Sequence, residues 1–335
     1  MTIKDIALKL GLSNSTVSRA LRDSYLISEP IRRKVQAFAA THQYKPNLNA
    51  LRLKNKHGRT VGVSVASISN IFYSEIISGI ESAAFERGYQ IILTQSLEKS
   101  ARETSNIEQL EWHAIDGLLI SLSAESDQLE SLVSLQQKGI PVVMFDRIST
   151  DIQCHSVSVD NFGGAAQTVR HLIDRGRTRI AFAGLSQSLS LMRDRLEGYK
   201  SALVSAGFEV DPTLIFICAA GDGCRKSAHD MVTNILSMTD RVDAIFTASE
   251  SLSIEVLNIL HHKQVRVPEV IALAGFSNFN APELFNPQLT TVSQPAFEMG
   301  RRSMELLISC IESKRPVTRY ERVILPLNLH IRASS

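Results

Sequence analysis

The chain has 335 residues, 44% of them hydrophobic and 21% charged, which is enough apolar material for a sizeable core and enough length for two or three domains. The formal net charge of +2 argues against a nucleic-acid binder until it is mapped: residues 1–59 hold twelve Lys and Arg against three Asp and Glu, a net of +9, and the remaining 276 hold 24 against 31, a net of −7. No apolar run reaches the roughly 18 residues of a membrane span, and Asp5 and Lys9 break the opening MTIKDIALKL where a secretory signal needs an apolar run, so the expected location is the cytoplasm.

The basic segment reads as three short helices. Thr2 can cap the first, with Asp5 three residues on as in a capping box, and Ile3, Ile6, Ala7 and Leu10 share one face. Gly11 ends it. Ser13 can cap a second helix that buries Val17, Ala20 and Leu21, while Asn14, Ser15, Ser18, Arg19 and Arg22 form a polar stripe free of carboxylates. Ser28 can cap a third, with Glu29 and Pro30 in its first turn and Ile31, Val35, Phe38 and Ala39 buried. Two helices joined through a glycine turn suggest a helix-turn-helix, whose second helix enters the major groove. Asn14 then stands where it can pair with adenine and Ser15 with several bases, and Thr16, Ser18, Arg19 and Arg22 can reach bases or phosphates. A small helical bundle with a solvated polar face is the plainer alternative.

The residues Thr2-Ile3-Lys4-Asp5-Ile6-Ala7, Gly11-Leu12-Ser13, Thr16-Val17-Ser18-Arg19-Ala20-Leu21, Ile27-Ser28 and Tyr44-Lys45-Pro46-Asn47 resemble the headpiece of the LacI/GalR transcription regulators. That resemblance implies a DNA-binding set of Thr2, Asn14, Ser15, Thr16, Ser18, Arg19, Arg22, Ser28, Asn47, Ala50 and Leu53. It also implies that the stretch after Asn47 is a hinge helix formed on operator DNA, with Leu53 as the wedge that opens a minor-groove step. So short a helix is unstable alone and needs partners to form. The usual Ala-Arg pair of this hinge is Ala50-Leu51 here, with the arginine displaced to Arg52. One residue turns a side chain about 100° around a helix, so the usual phosphate contact cannot be copied directly.

From residue 60 short β-branched runs alternate with amphipathic stretches: TVGVSVA (60–66), YQIILTQ (89–95), DGLLISL (116–122), PVVMFDR (141–147), RIAFAG (179–184), IFICAA (215–220), DAIFTAS (243–249) and VIALAGF (270–276). The alternation predicts an α/β body of two doubly wound parallel sheets of four or five strands each, with a ligand cleft beyond the strand carboxyl ends. Asp116-Gly117-Leu118-Leu119, Phe145-Asp146-Arg147, Arg195-Leu196-Glu197-Gly198-Tyr199 and Pro287-Gln288-Leu289-Thr290-Thr291-Val292 extend the resemblance to the family's effector body, a type I periplasmic-binding-protein-like fold.

The resemblance implies a headpiece over 1–46, a hinge and linker over 47–59, and a body over 60–335. The N-subdomain is expected at about 60–158 and 294–320, and the C-subdomain at about 159–292 and 322–335. Crossings between the halves are expected near 157–162, 288–294 and 322.

Strand ends nominate the effector contacts. Arg195 aligns with an arginine that holds effector hydroxyls or carboxylates in the family, with a helix-end salt bridge as its alternative. Asp146 can accept from sugar hydroxyls or bridge the two halves. Phe72 and Tyr73 can stack on a sugar or belong to the core, and Ser121, Ser123, Asp222 and Ser249 fall at or after strand ends. The family's Gly-Phe/Tyr-Asp-Asp is Gly275-Phe276-Ser277-Asn278 here, with Ser277 a neutral replacement, and its Asn-Asp pair is Ser249-Glu250. A sugar is the first expectation for the effector; a sugar acid, a sugar phosphate, a purine-like ligand or a protein corepressor are the alternatives.

Other chemistries lack their motifs: there is no GxGxxG after a strand, no Walker sequence and no nucleophile elbow, so no enzyme and no cofactor are expected. Cys154, Cys218, Cys224 and Cys310 have no ligand spacing, and His261-His262 reads as a solvated helix end in place of a metal site. The chain closes without a leucine heptad tail, which makes a homodimer the expected assembly on a pseudopalindromic operator.

Overall fold

The computed structural model describes residues 1–21, 26–42, 44, 58–124, 129–186, 188–219, 221–313 and 319–335, apart from the side chain of Asp222. The chain divides into two compact units, Met1–Gly58 and Arg59–Ser335.

In the first unit, α1 (Ile3–Leu10) starts with the capping box: Thr2 Oγ1 accepts from the Asp5 amide at 3.3 Å, and Asp5 Oδ2 accepts from the Thr2 amide at 2.7 Å. Gly11 closes the helix at φ +64°, a left-handed conformation that glycine adopts without penalty. Ser13 Oγ then accepts from the Thr16 amide at 3.0 Å and opens α2 (Asn14–Leu21). Ser28 precedes α3 (Glu29–Thr41), but its side chain makes no capping hydrogen bond, and the start rests on Glu29 and Pro30. Ile6, Ala7, Val17, Ala20, Val35 and Ala39 form the core, edged by Ile3, Leu10, Leu21, Ile31 and Phe38. The helical periodicity had selected these residues.

The second unit runs β1 (Thr60–Val65), α4 (Ile71–Glu86), β2 (Gln90–Gln95), α5 (Ser100–Trp112), β3 (Gly117–Ile120), α6 (Glu130–Gln137), β4 (Val142–Phe145) and β5 (His155–Val159). It continues with α7 (Asn161–Asp174), β6 (Ile180–Gly184), α8 (Ser190–Ser205), β7 (Ile215–Ile217), α9 (Cys224–Ser237), β8 (Ala244–Thr247), α10 (Glu250–His262), β9 (Ala272–Phe276) and β10 (Thr290–Ser293). Last come α11 (Ala296–Glu312), β11 (Arg322–Leu325) and β12 (Asn328–His330). The first sheet has the order β11-β5-β4-β3-β1-β2, all parallel; the second has the order β12-β10-β9-β8-β6-β7, parallel except where β12 runs against β10. Among the described residues no helix is long and apolar enough to cross a membrane.

Each sheet therefore has six strands, more than the four or five expected. The additional strand of each comes from the C-terminal segment, which passes from one sheet to the other between Leu325 and Asn328. Residues 322–325 belong to the first sheet, not the second, so the third crossing lies a few residues beyond 322. The alternating exposure of β11 hides it from a search for apolar runs.

Both sheets are covered on two faces. Val61, Val63 and Val65 meet α4 and α11 on one side of the first sheet, while Leu118, Ile120 and Met144 meet α5 and α6 on the other. In the second sheet Phe182, Phe246 and Phe276 pack toward α7 and α8, and Ile245 and Leu273 pack toward α9 and α10. Two glycines set how closely α4 and α11 approach. A Cβ at Gly79 would lie 2.0 Å from the Phe297 carbonyl oxygen, and one at Gly300 would lie 2.0 Å from that of Ile76. The clash is with backbone, so it is relieved only by parting the helices. Gly300→Ala is expected to cost about 1–3 kcal/mol by overpacking and to lower the melting temperature by several degrees; an unchanged melting curve would refute the tight contact.

Candidate functional site

The first unit offers one polar helix face. Asn14, Ser15 and Arg19 are exposed on α2, Thr16 and Ser18 are half-exposed, and Val17 and Ala20 are buried opposite. Ser13 Oγ lies 2.8 Å from both Ser15 Oγ and Thr16 Oγ1, so the start of the helix presents a cluster of hydroxyls. Thr2 is occupied with capping α1. Arg22, Asn47, Ala50 and Leu53 lie outside the described residues, as do Leu51 and Arg52.

In the second unit the polar groups gather beyond the carboxyl ends of the strands, on two facing walls. On the first wall Tyr73, in the first turn of α4, is buried and donates to Asp146 Oδ2 at 3.0 Å. Ser121, just after β3, lies 3.0 Å from the same phenol oxygen; since the phenol proton goes to Asp146, Ser121 is the donor. Asp146 leaves β4 at φ +58°, a strained conformation for a non-glycine residue and a common mark of a working site. Its neighbour Arg147 forms a two-pronged ion pair with Glu98, at 2.6 and 2.9 Å. Glu98 also accepts from the Ala124 amide at 2.8 Å. Burial opposes the Glu98 charge, but the Arg147 hydrogen bond and charge prevail, and the carboxyl is held below its ordinary range.

On the second wall Arg195, in α8, is only 4% exposed. Its Nε donates to Asn161 Oδ1 at 2.8 Å, Nη1 to the Ala248 carbonyl at 2.7 Å and Nη2 to Gln294 Oε1 at 2.9 Å. The guanidinium stacks 3.6 Å from the centroid of the Phe276 ring. All three hydrogen-bond acceptors are neutral, and no carboxylate among the described residues comes within ion-pair distance, so the helix-end salt bridge is not formed. Burial brings the pKa of Arg195 down to about 10, and the strongest opposing charge is Asp146 on the other wall. Gln294 links onward: Asn278 Nδ2 donates to the Gln294 carbonyl at 2.7 Å, and the Gln294 amide donates to Asn278 Oδ1 at 3.0 Å. Among the described residues, hydrogen bonds pass between the walls from Asn278 Nδ2 to Glu75 (3.3 Å), Ser188 Oγ to the Ala124 carbonyl (2.9 Å) and Ser190 Oγ to the Ile148 carbonyl (3.0 Å).

The cleft thus unites Tyr73, Ser121, Asp146, Arg195 and Ser277 of the expected set. Two others serve elsewhere: Phe72 packs in the core of the first half and Ser249 caps α10; Ser123 is buried with its backbone amide on Glu103 at 2.6 Å and its hydroxyl on no partner among the described residues. The side chain of Asp222 is not among those described. Sequence reasoning overlooked Glu98, Arg147, Asn161, Phe276, Asn278 and Gln294 as parts of the walls. One signal for Arg147 was its place beside Asp146; Asn161 and Gln294 carry none before the crossings bring them to Arg195.

A helix-turn-helix unit joined to a two-lobed α/β body with a polar cleft defines a DNA-binding regulator of transcription. Residues 2–47 match the family described as bacterial regulatory proteins, lacI family, and residues 58–332 match the periplasmic binding proteins and sugar binding domain of the LacI family. The chain belongs to the LacI family of transcription regulators. It is similar to the ribose operon repressor of Escherichia coli K12, 31% identical over 100% of this chain and 99% of that one. It is also similar to the transcriptional regulator RegA of Clostridium saccharobutylicum, 30% identical over 93% of each. Among solved structures, the regulator CelR in complex with cellobiose has a TM-score of 0.73 at 29% identity and full coverage of both chains. The lac repressor dimer on its operator shares the fold, with a TM-score of 0.85 at 21% identity over 100% of this chain and 98% of that one. These relatives are regulators and not enzymes, and so is this chain.

Burial holds the Asp146 carboxyl above its ordinary value of 3.8, against the pull of Arg147 and Arg195. A carboxyl that binds its proton more tightly folded than unfolded destabilises the fold as it ionises, so this contribution falls as pH rises from 3.8 through the higher folded value. Asp146→Asn cannot ionise. Its stability relative to wild type is expected to increase across that window in melting curves taken from acid to neutral pH; a difference independent of pH would refute the burial of a charge there.

Proposed function

We propose that this regulator is a repressor that binds a pseudopalindromic operator as a homodimer and is controlled by a sugar or sugar derivative held between the two walls. The observation that carries the effector reading is the pairing of Asp146 and Arg195: both are buried, they lie on opposite walls, and each senses the other's charge. Such a cleft offers acceptors on one side and a fork of donors on the other, with the Phe276 ring beneath the fork. Polyhydroxylated rings need that combination, since every hydroxyl both donates and accepts. The ribose and cellobiose connections of the similar proteins support the same ligand class.

On the DNA side, the face of α2 and the +9 charge of residues 1–59 support major-groove reading by two headpieces on two half-sites. Domain limits of 1–46, 47–59 and 60–335, with the middle segment as a hinge that Leu53 wedges into the minor groove, complete the reading. Effector binding changes the angle between the lobes and so biases hinge formation; a coupling of about 1–3 kcal/mol alters operator affinity roughly 5- to 150-fold. The protein works in the cytoplasm, where its DNA is.

Arg19→Ala is expected to weaken binding to an operator recovered by in vitro selection by about 1–3 kcal/mol for each headpiece, and equal affinity in gel-shift titrations would overturn α2 as the reader. Leu53→Ala is expected to reduce operator bending; an unaltered bend angle would remove the wedge from the mechanism.

A further inference from the structure

Two departures from the family pattern meet in space. Ser277 stands where the family has an aspartate, and Glu250 stands at the second place of its Asn-Asp pair, on the next strand end, β8 beside β9. Glu250 Oε2 accepts from Ser277 Oγ at 3.1 Å and from the Asn278 amide at 2.6 Å. The Ser277 hydroxyl also accepts from the Phe279 amide at 3.1 Å. A hydroxyl has one proton and two lone pairs; with the proton on Glu250 and one lone pair on Phe279, Ser277 retains only an acceptor. It can therefore receive a ligand hydroxyl as a carboxylate would, while the negative charge sits one residue cluster away on Glu250.

The charges of the walls are then unequal. Glu98 neutralises Arg147 through its two-pronged pair. Arg195, with Arg193 donating to the Ser188 carbonyl at 3.2 Å nearby, stands against Asp146, Glu250 and the Glu75 that Asn278 touches, and Asp146 is shared with Arg147 Nε at 3.9 Å. An incoming anion would face three carboxylates and would have to compete with Asp146 for the Arg195 guanidinium. Like-charge juxtaposition of this kind is a strong ground for rejecting a ligand.

We propose that Glu250 makes the cleft selective for uncharged polyols over their acids and phosphates, by fixing Ser277 as an acceptor and by adding its charge to those of Glu75 and Asp146. The proposal rests on the sugar reading above and narrows it to neutral sugars. The test is thermal-shift titration of the full chain with D-ribose, D-xylose, D-glucose and D-galactose, and with the matching aldonates and terminal phosphates. For wild type one free sugar is expected to bind, with its acid and phosphate at least tenfold weaker. Glu250→Gln and Glu75→Gln should each shrink that gap at least threefold, whereas Ser277→Ala should weaken the sugar and leave the gap intact, because no charge is lost. A wild type that prefers an acid or phosphate overturns the proposal, and so does an undiminished gap in Glu250→Gln, or in Glu75→Gln should Glu250→Gln fail to melt cooperatively. If none of these compounds shifts wild type, there is no gap to compare; the sugar reading itself has then failed, and the proposal falls with it.

Discussion

A guanidinium carried into the interior of a protein needs its donors matched, and Arg195 obtains this from three neutral oxygens supplied by three separate parts of the chain. Asn161 opens α7, Ala248 follows β8, and Gln294 lies between β10 and α11. An ion pair would cancel the charge locally; neutral acceptors orient it without a direct ion pair. The carboxylate that answers it, Asp146, belongs to the other wall. The attraction between lobes is therefore concentrated in the polar cleft between the two walls.

That arrangement depends on rigid lobes. Both sheets are closed on two faces by apolar layers, and α4 is held against α11 at a backbone contact that leaves no space for a Cβ at Gly79 or Gly300. The connections between the lobes are by contrast few and thin: three strand crossings, with short segments after Val159, Ser293 and Leu325. Gln294 sits in one of these segments and touches both Arg195 and Asn278, and Asn278 reaches Glu75 on α4. A ligand that pulls on Arg195 is thus connected through two amide side chains to a crossing and to the opposite lobe.

Local features were legible without the fold. The Thr2–Asp5 box, the glycine stop at Gly11, the buried face of α2 and eight of the strands follow from capping chemistry and from apolar runs bounded by helical stretches. β5 and β10 were anticipated only as crossings, and β11 and β12 not at all, because edge strands of three or four residues that alternate polar and apolar resemble loop sequence. Among site residues, Arg195 and Asp146 were legible from a motif and a strand end. Ser249 satisfied the same rule yet caps a helix, since a position after a strand does not say which way a side chain is turned. Likewise Glu250 and Ser277 looked like two unrelated losses until strand order placed them 3.1 Å apart.

A net charge of +2 conceals a basic segment and an acidic body, and that division, the three-helix pattern and the strand–helix alternation were set by the sequence alone, because each arises from residues close together in the chain. Which polar residues share a site was decided only by the tertiary structure. Arg195 and Gln294 are 99 residues apart and Tyr73 and Asp146 are 73 apart, and such pairs come together through parallel strand order and the three crossings. Hydrogen bonds act over about 3 Å, so a site assembled from distant segments exists only once the sheets have fixed where each segment ends.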